Sequence, residues 1–437
     1  SPQDRKGYKG NNRGYMRRLT DFRINNIIYV LFIRLGGVCL KNSFKLVSAN
    51  ENNLKWSNII SRETPLYSRN NDIRSEFERD FTRVIHSNAY RRLKHKTQVF
   101  YSPQNDHICT RIEHVNHVES ISYTIAHYLG LNEELTKAIA VSHDLGHSPF
   151  GHKGEKILDE ICKKDLNSSF WHEKNGLYFV DNIELLEDDE GCKRNLDLTY
   201  GVRDGIISHC GEIDENIIRP RDEFINLKEY NYPNQFAPYT WEGCVVKISD
   251  KISYIGRDIE DAVSLGILDE HLDKLYDLLG YTSGTINNTV IINTLIYDLC
   301  TNSSPEIGLC FSSEALNLMN KIKKFNYEYI YLSDALKPSD EYFSIVINRI
   351  YCTLKNAYNG ATTFQNLDKL RKFYPNLING FVDWFSNFST TGNRQNLKNK
   401  VLFDIQNSKD YYFAIILYIA GMTDKFAIDT YNEIIGF

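Results

Sequence analysis

Eleven of the twelve histidines in this 437-residue chain lie between His86 and His209, with His271 the exception. The sharpest local pattern among them is the adjacent pair His143-Asp144, which ends an apolar stretch of helical period. In that stretch Asn132 is placed to cap, Glu133 and Glu134 suit the positive first turn, and Leu135, Ala138, Ile139 and Ser142 share one face. Pro149 is expected in the first turn of a further helix running to about Lys164. An imidazole beside a carboxylate suits mixed nitrogen and oxygen coordination of Mn, Fe, Mg or a similar divalent ion. The plainer reading is a helix end where His and Asp merely finish the last turn, and a dipeptide alone does not decide between the two.

Two further helices carry related residues. Arg111-Ile-Glu-His114 opens one whose Val118, Ile121, Ile125 and Leu129 form an apolar side. Thr240 to Leu268 reads as a single long helix with Ile248, Ile252, Ile255 and Ile259 in one stripe. On its other side Asp250, Tyr254 and Asp258 recur at i, i+4 and i+8, either as a solvated face or as a buried functional one. From about Ser61 to Leu268 the chain reads as helices with short polar loops, more open between Gly176 and Gln235. Beyond about 270 the pattern stays helical, with room for short strands. The fold class expected is all-α with a helical, at most slightly β, C-terminal region.

The formal charge of −5 provides no overall basic field, so nucleic acid is not the default partner. Nine cysteines without a CxxC pair read as reduced thiols, in keeping with a cytoplasmic protein. The longest apolar run near the start, Asn26 to Ile33, falls far short of the roughly 20 residues that span a bilayer, so no membrane segment is expected. Residues 1–60 are read as an N-terminal extension, 61–268 as the core, and 269–437 as a helical region packed on it.

In order along the chain, His114, His143-Asp144 and Asp250 resemble the H…HD…D signature of the HD superfamily. The likeness narrows with Arg74-Ser-Glu-Phe-Glu-Arg-Asp80, Arg91-Arg-Leu-Lys-His-Lys-Thr-Gln-Val-Phe100 and His143-Asp-Leu-Gly-His-Ser-Pro-Phe-Gly-His-Lys-Gly-Glu155. It continues through Val202-Arg-Asp-Gly-Ile-Ile-Ser-His209 and Thr240-Trp-Glu-Gly243. With these motifs in register over residues 61–268, the chain resembles the bacterial dGTPase-like triphosphohydrolases.

The resemblance implies that His114, His143, Asp144 and Asp250 hold one divalent metal, Mn, Mg, Fe or Co. It implies water attack on the α-phosphorus of a dNTP and release of triphosphate in one piece. His152 and Glu155 match a catalytic His-carboxylate pair, three apart on a helix, and His147 and His172 match further active-site histidines. Arg111 and Lys251 match phosphate-binding positions, and Tyr254 and Asp258 match positions facing the deoxyribose, with His95 approaching the sugar. The family analogy further implies a tetramer or hexamer and a dNTP allosteric effector. One departure stands out: Asn116 and His117 replace the hydrophobic residue and Glu usual after the first ligand, which bears on metal preference. Two other readings share the metal signature: an HD phosphodiesterase acting on cyclic nucleotides or guanosine polyphosphates, and a catalytically silent nucleotide sensor. The His152/Glu155 pair with Tyr254 and Asp258 argues against the first, and a filled catalytic set against the second.

Overall fold

A long helix capped by Thr110, α3 below, and the helix it packs against most closely, α4, set the frame on which the functional residues sit. The computed structural model describes residues 41–65, 72–101, 105, 107–209, 216–280 and 287–436. The apolar run Asn26 to Ile33 and most of the N-terminal extension therefore lie outside the described residues. Asn42 onward forms one compact unit.

The helices, in order, are α1 (Glu76–His86), α2 (Asn88–Arg92), α3 (Arg111–Leu129), α4 (Glu133–Ser142), α5 (Gly151–Leu166), α6 (His172–Tyr178), α7 (Tyr200–Ser208) and α8 (Trp241–Ser264). There follow α9 (Leu272–Leu279), α10 (Asn288–Asn302), α11 (Ser313–Asn326), α12 (Lys337–Lys355), α13 (Thr363–Leu370), α14 (Pro375–Ser386), α15 (Ser408–Ala420) and α16 (Asp424–Ile435). Besides the single helical turn Trp56–Ile59 and several short 3-10 and π turns, the described residues hold two small antiparallel pairs: β1 (Leu185–Glu187) with β2 (Lys193–Asn195), and β3 (Ile217–Ile218) with β4 (Leu309–Cys310). The fold is all-α, and among the described residues of the C-terminal third the one strand is β4.

Local chemistry explains the boundaries. Glu113 accepts the Thr110 backbone N–H at 2.7 Å at the start of α3, and Gly130 ends that helix in the left-handed conformation at φ 81°. Asn132 accepts from Leu135 N at 2.9 Å at the start of α4, as its position in the sequence implies. Thr240 caps α8 by accepting from Gly243 N at 3.0 Å. The stripe of Ile248, Ile252, Ile255 and Ile259 is buried, each side chain contributing about 2 kcal/mol of transfer free energy before entropy is charged.

Two expectations need correction. The helix after His143-Asp144 begins at Gly151, so Pro149 precedes it: Phe150 adopts a left-handed backbone (φ 63°) and donates its N–H to Asp424 Oδ1 at 2.9 Å. The segment 176–235 is the more open one expected; the one α-helix that lies wholly within it among the described residues is α7, whose residues are all buried and whose Arg203 pairs with Asp181 at 2.6 Å. Residues 42–60 do not stand apart from the core: Phe44 is fully buried, and Ala49 N donates to Glu242 Oε1 at 2.9 Å.

α8 packs on α3, α4, α7, α10 and α11, while α5 packs on α12 and α15. The C-terminal helices thus lie directly on the elements that bear the functional residues. No single helix among the described residues is long and apolar enough to cross a membrane. The described cysteines are free thiols.

Candidate active site

The four residues of the HD signature meet where α3, the end of α4 and the middle of α8 converge. His114 Nε2 lies 3.0 Å from Asp250 Oδ1 and 3.9 Å from Asp144 Oδ2. His143 Nε2 lies 3.6 Å from Asp144 Oδ1 and 4.0 Å from Asp250 Oδ1. The far nitrogens are anchored. His143 Nδ1 faces Ala140 O at 2.6 Å, and a carbonyl only accepts, so Nδ1 carries the hydrogen and Nε2 the lone pair. His114 Nδ1 meets Ser253 Oγ at 3.2 Å, and that hydroxyl donates onward to Asp250 O at 2.8 Å. His143 Nε2 is buried and makes no hydrogen bond. A buried ring nitrogen without a hydrogen bond, facing two carboxylates, is an arrangement that fits a cation between them. Burial raises the Asp250 carboxyl, but the hydrogen bond and charge of His114 hold it below the usual range, so it remains ionised.

A second set adjoins the first. Glu155 Oε2 lies 3.0 Å from His172 Nδ1 and 3.4 Å from His152 Nδ1, and Glu155 Oε1 accepts the His172 backbone N–H at 3.1 Å. His172 is buried, whereas the His152 side chain is 71% exposed. The rings of His147 and His172 stack with centroids 3.9 Å apart, and His147 Nε2 reaches Asp144 Oδ1 at 3.0 Å, tying the two sets together. Burial works against ionisation of Glu155, but the charges of His172 and His152 win and hold its carboxyl well below the usual range. Gly146 makes the close approach possible: a Cβ there would stand 2.0 Å from His172 O and 2.1 Å from Gly176 N.

The HD-domain family matches residues 111–255, the span that carries all four signature residues. Over 365 residues the chain is 34% identical to a deoxyguanosinetriphosphate triphosphohydrolase-like protein of Caldanaerobacter subterraneus subsp. tengcongensis, covering 83% of this chain and 86% of that protein. Proteins of the same description from Rickettsia bellii (30% over 405 residues) and Rickettsia typhi (31% over 404) each align with 89% of this chain and 98% of their own length. The chain belongs to the deoxyguanosinetriphosphate triphosphohydrolase-like family. It is an HD-domain protein of the hydrolase type, with a His/Asp cluster that could hold a metal ion.

In this family member the remaining motif residues fall as follows. Arg111 is buried and its guanidinium pairs with Asp144 Oδ2 at 2.8 Å. Lys251, next in the chain to Asp250, is buried and lines a small cavity with Asn216, Ile218, Ile248, Phe311, Leu316 and Met319. Asp258 is buried and accepts a short hydrogen bond from Tyr331 Oη, and burial pushes its carboxyl up to about 6. A cavity of about 480 Å³ opens beside Tyr254 and Tyr331 and is lined also by Asn320, Lys323 and Lys324. His95 is exposed on the turn Leu93–His95, and the next residue, Lys96, is the one that turns inward, donating to His147 O and, at 2.9 Å, to Ala420 O. His117 is half-buried; burial, then Arg257 and His114, push its imidazole down, and it joins none of the candidate ligand groups.

Several site residues escaped sequence reasoning. Ser253 sits one turn from Asp250 and carries no signal of its own. Tyr331 comes from a π-helical turn, Tyr327–Tyr331, in the region where no chemistry was legible. His209 ends a motif that supported the resemblance, yet no role was attached to it. Its ring lies 4.9 Å from that of His143 and 5.4 Å from that of His172.

Proposed function

We propose that this chain hydrolyses deoxynucleoside triphosphates to a deoxynucleoside and inorganic triphosphate. The observation that carries the reading is the convergence of His114, His143, Asp144 and Asp250 beside a separate, carboxylate-oriented pair of histidines, His152 and His172. The first four residues are those that would hold a divalent cation, Mn, Mg, Fe or Co. The chemistry such an ion supplies when bound is neutralisation of phosphoryl charge and acidification of water.

The chain's own residues do the rest. In this reading Arg111, which pairs with Asp144, and Lys251, next in the chain to Asp250, supply the cations for the phosphate oxygens, the former as a planar fork and the latter as a point charge. Glu155, held ionised, fixes the rings of His152 and His172. His152 keeps access to solvent and can pass a proton to the departing 5′ oxygen while exchanging it with bulk water. His147 and His172 are buried in the second set and orient water and phosphate. α8 then serves as a ruler. At 1.5 Å per residue, Tyr254 stands roughly 6 Å and Asp258 roughly 12 Å along the axis from Asp250. That is the order phosphate, sugar and 3′-hydroxyl require, with the cavity beside Tyr254 and Tyr331 left for the base. A 2′-hydroxyl against the Tyr254 ring would clash or lose its partners, which favours deoxyribose. His95 belongs to the sugar-side set in the same reading, as do a cytoplasmic location, assembly into tetramers or hexamers and response to a dNTP effector.

The test is product analysis with four dNTPs and four NTPs, each with Mn, Mg or Co. Free deoxynucleoside plus triphosphate is the expected result, and His143→Ala with Asp144→Ala abolishes it. Hydrolysis of a cyclic nucleotide without action on any dNTP, or turnover surviving in the double variant, would overturn the assignment.

A further inference from the structure

The turn that joins α15 to α16 reaches back to the segment that carries His147 and His152. Asp424, the first residue of α16, is buried. Its Oδ1 accepts the Phe150 backbone N–H at 2.9 Å, and its Oδ2 accepts the Thr97 backbone N–H at 2.8 Å. The buried Lys96 donates its ammonium hydrogens to His147 O and, at 2.9 Å, to Ala420 O. The loop between α4 and α5 is thereby gripped twice, at the carbonyl of His147 by Lys96 and at the N–H of Phe150 by Asp424. Lys96 is itself anchored, because its carbonyl accepts the N–H of Arg111, the first residue of α3, at 3.1 Å.

The gripped stretch is one that needs holding. Phe150 adopts a left-handed backbone at φ 63° and ψ 25°, which a residue with a β-carbon keeps only where its surroundings impose it. Its ring stacks on that of Phe343 in α12, with centroids 4.2 Å apart and planes 4° apart. This turn decides the direction in which α5 leaves the loop, and His152 is the second residue of α5. The His152 side chain is largely exposed, so little protein surrounds it to fix its place. Its approach to Glu155 at 3.4 Å, and to the His147 ring at 5.3 Å between centroids, is therefore set by the backbone of the first turn of α5. An amide cannot stand in for the Asp424 carboxyl group without loss. Both oxygens accept backbone N–H groups, and an amide would turn a donor towards one of them.

We propose that Asp424 and Lys96 are positioning residues of the reaction: through the backbone of residues 147–150 they hold His152 in register with Glu155. The inference rests on the proposed triphosphohydrolase activity, in which His152 passes the proton. The experiment compares Asp424→Asn with Glu433→Ala in the full chain. Glu433 lies on the same helix and likewise accepts two backbone N–H groups, those of Asn376 at 2.8 Å and Leu377 at 2.9 Å, at the start of α14 and not in the loop. Turnover of dNTP gives kcat and KM, and hydrogen–deuterium exchange read by mass spectrometry follows the peptide spanning residues 147–152. In Asp424→Asn kcat falls about 10²-fold with KM and Mn(II) content unchanged, and the peptide exchanges faster. In Glu433→Ala the stability to urea falls, while kcat and the exchange of that peptide stay as in the unmodified chain. A kcat preserved in Asp424→Asn, or lost equally in both variants, overturns the inference and leaves the triphosphohydrolase reading standing. Exchange in Asp424→Asn equal to that of the unmodified chain overturns the clamp itself. If the unmodified chain acts on no dNTP, the triphosphohydrolase reading fails and the catalytic role of the clamp with it. If Asp424→Asn does not fold, Lys96→Met removes the other half of the clamp and is judged by the same outcomes.

Discussion

Tyr331 donates its phenolic hydrogen to Asp258, tying the turn after α11 to the acidic end of the stripe on α8. The bond relieves only part of the cost of burying that carboxyl, which stands at about 6 against an ordinary value of 3.8. The folded chain therefore binds this proton more tightly than the unfolded one. The stability it confers is complete below about pH 4 and is lost as pH rises through 6.

Asp258→Asn removes that titration. The unfolding free energy of the variant relative to the unmodified chain is expected to grow by about 2–3 kcal/mol between pH 4 and pH 7 and to level off above. Urea unfolding at several pH values measures it, and a difference that does not change with pH would contradict the assignment.

Ser253 accepts from the far nitrogen of His114, so it sets the direction in which the candidate ligand nitrogen, Nε2, points. Ser253→Ala should weaken Mn(II) affinity about 10–100-fold with little change in fold. Competition against a chelator of known affinity reads this directly; equal affinities would show that the hydroxyl is a bystander.

Glu155→Gln keeps the shape but removes the charge that holds two histidines. A fall in kcat of about 10²–10⁴-fold is expected, with metal content unchanged. Loss of metal together with activity would instead make Glu155 part of the ion site.

Glu242, from the Thr240-Trp-Glu-Gly243 motif, is structural. Its Oε1 accepts the backbone N–H groups of Ala49 and Asn132, both at 2.9 Å. Glu242→Ala strands two buried donors and should cost about 2–4 kcal/mol in urea unfolding. An unfolding midpoint equal to that of the unmodified chain would refute the role.

Gly146→Ala places a methyl against His172 O and Gly176 N, backbone atoms that cannot swing aside. The displaced His172 should lower kcat about 10²-fold or more, on the scale of misplacing a catalytic group by 1 Å. Full activity in soluble Gly146→Ala would mean that the loop relaxes freely.

Helix period, caps and the ordering of His114, His143-Asp144 and Asp250 were legible because they are local: Asn132, Thr240 and the isoleucine stripe act within a few residues of themselves. From these the all-α class follows, while the four-residue cluster came from the resemblance that the ordering carries. What the sequence left open was settled by packing between distant segments. Whether the Asp250-Tyr254-Asp258 face meets solvent or protein depends on Tyr331, which approaches it from 73 positions away. The placement of His209 against His143 depends on α7 packing against α4 and α8, which turns one helix-end imidazole toward another. The start of α5 shifted past Pro149 because Asp424 holds the Phe150 N–H. Each of these outcomes rests on a buried polar group finding its partner across the fold, and local periodicity carries no information about that partner.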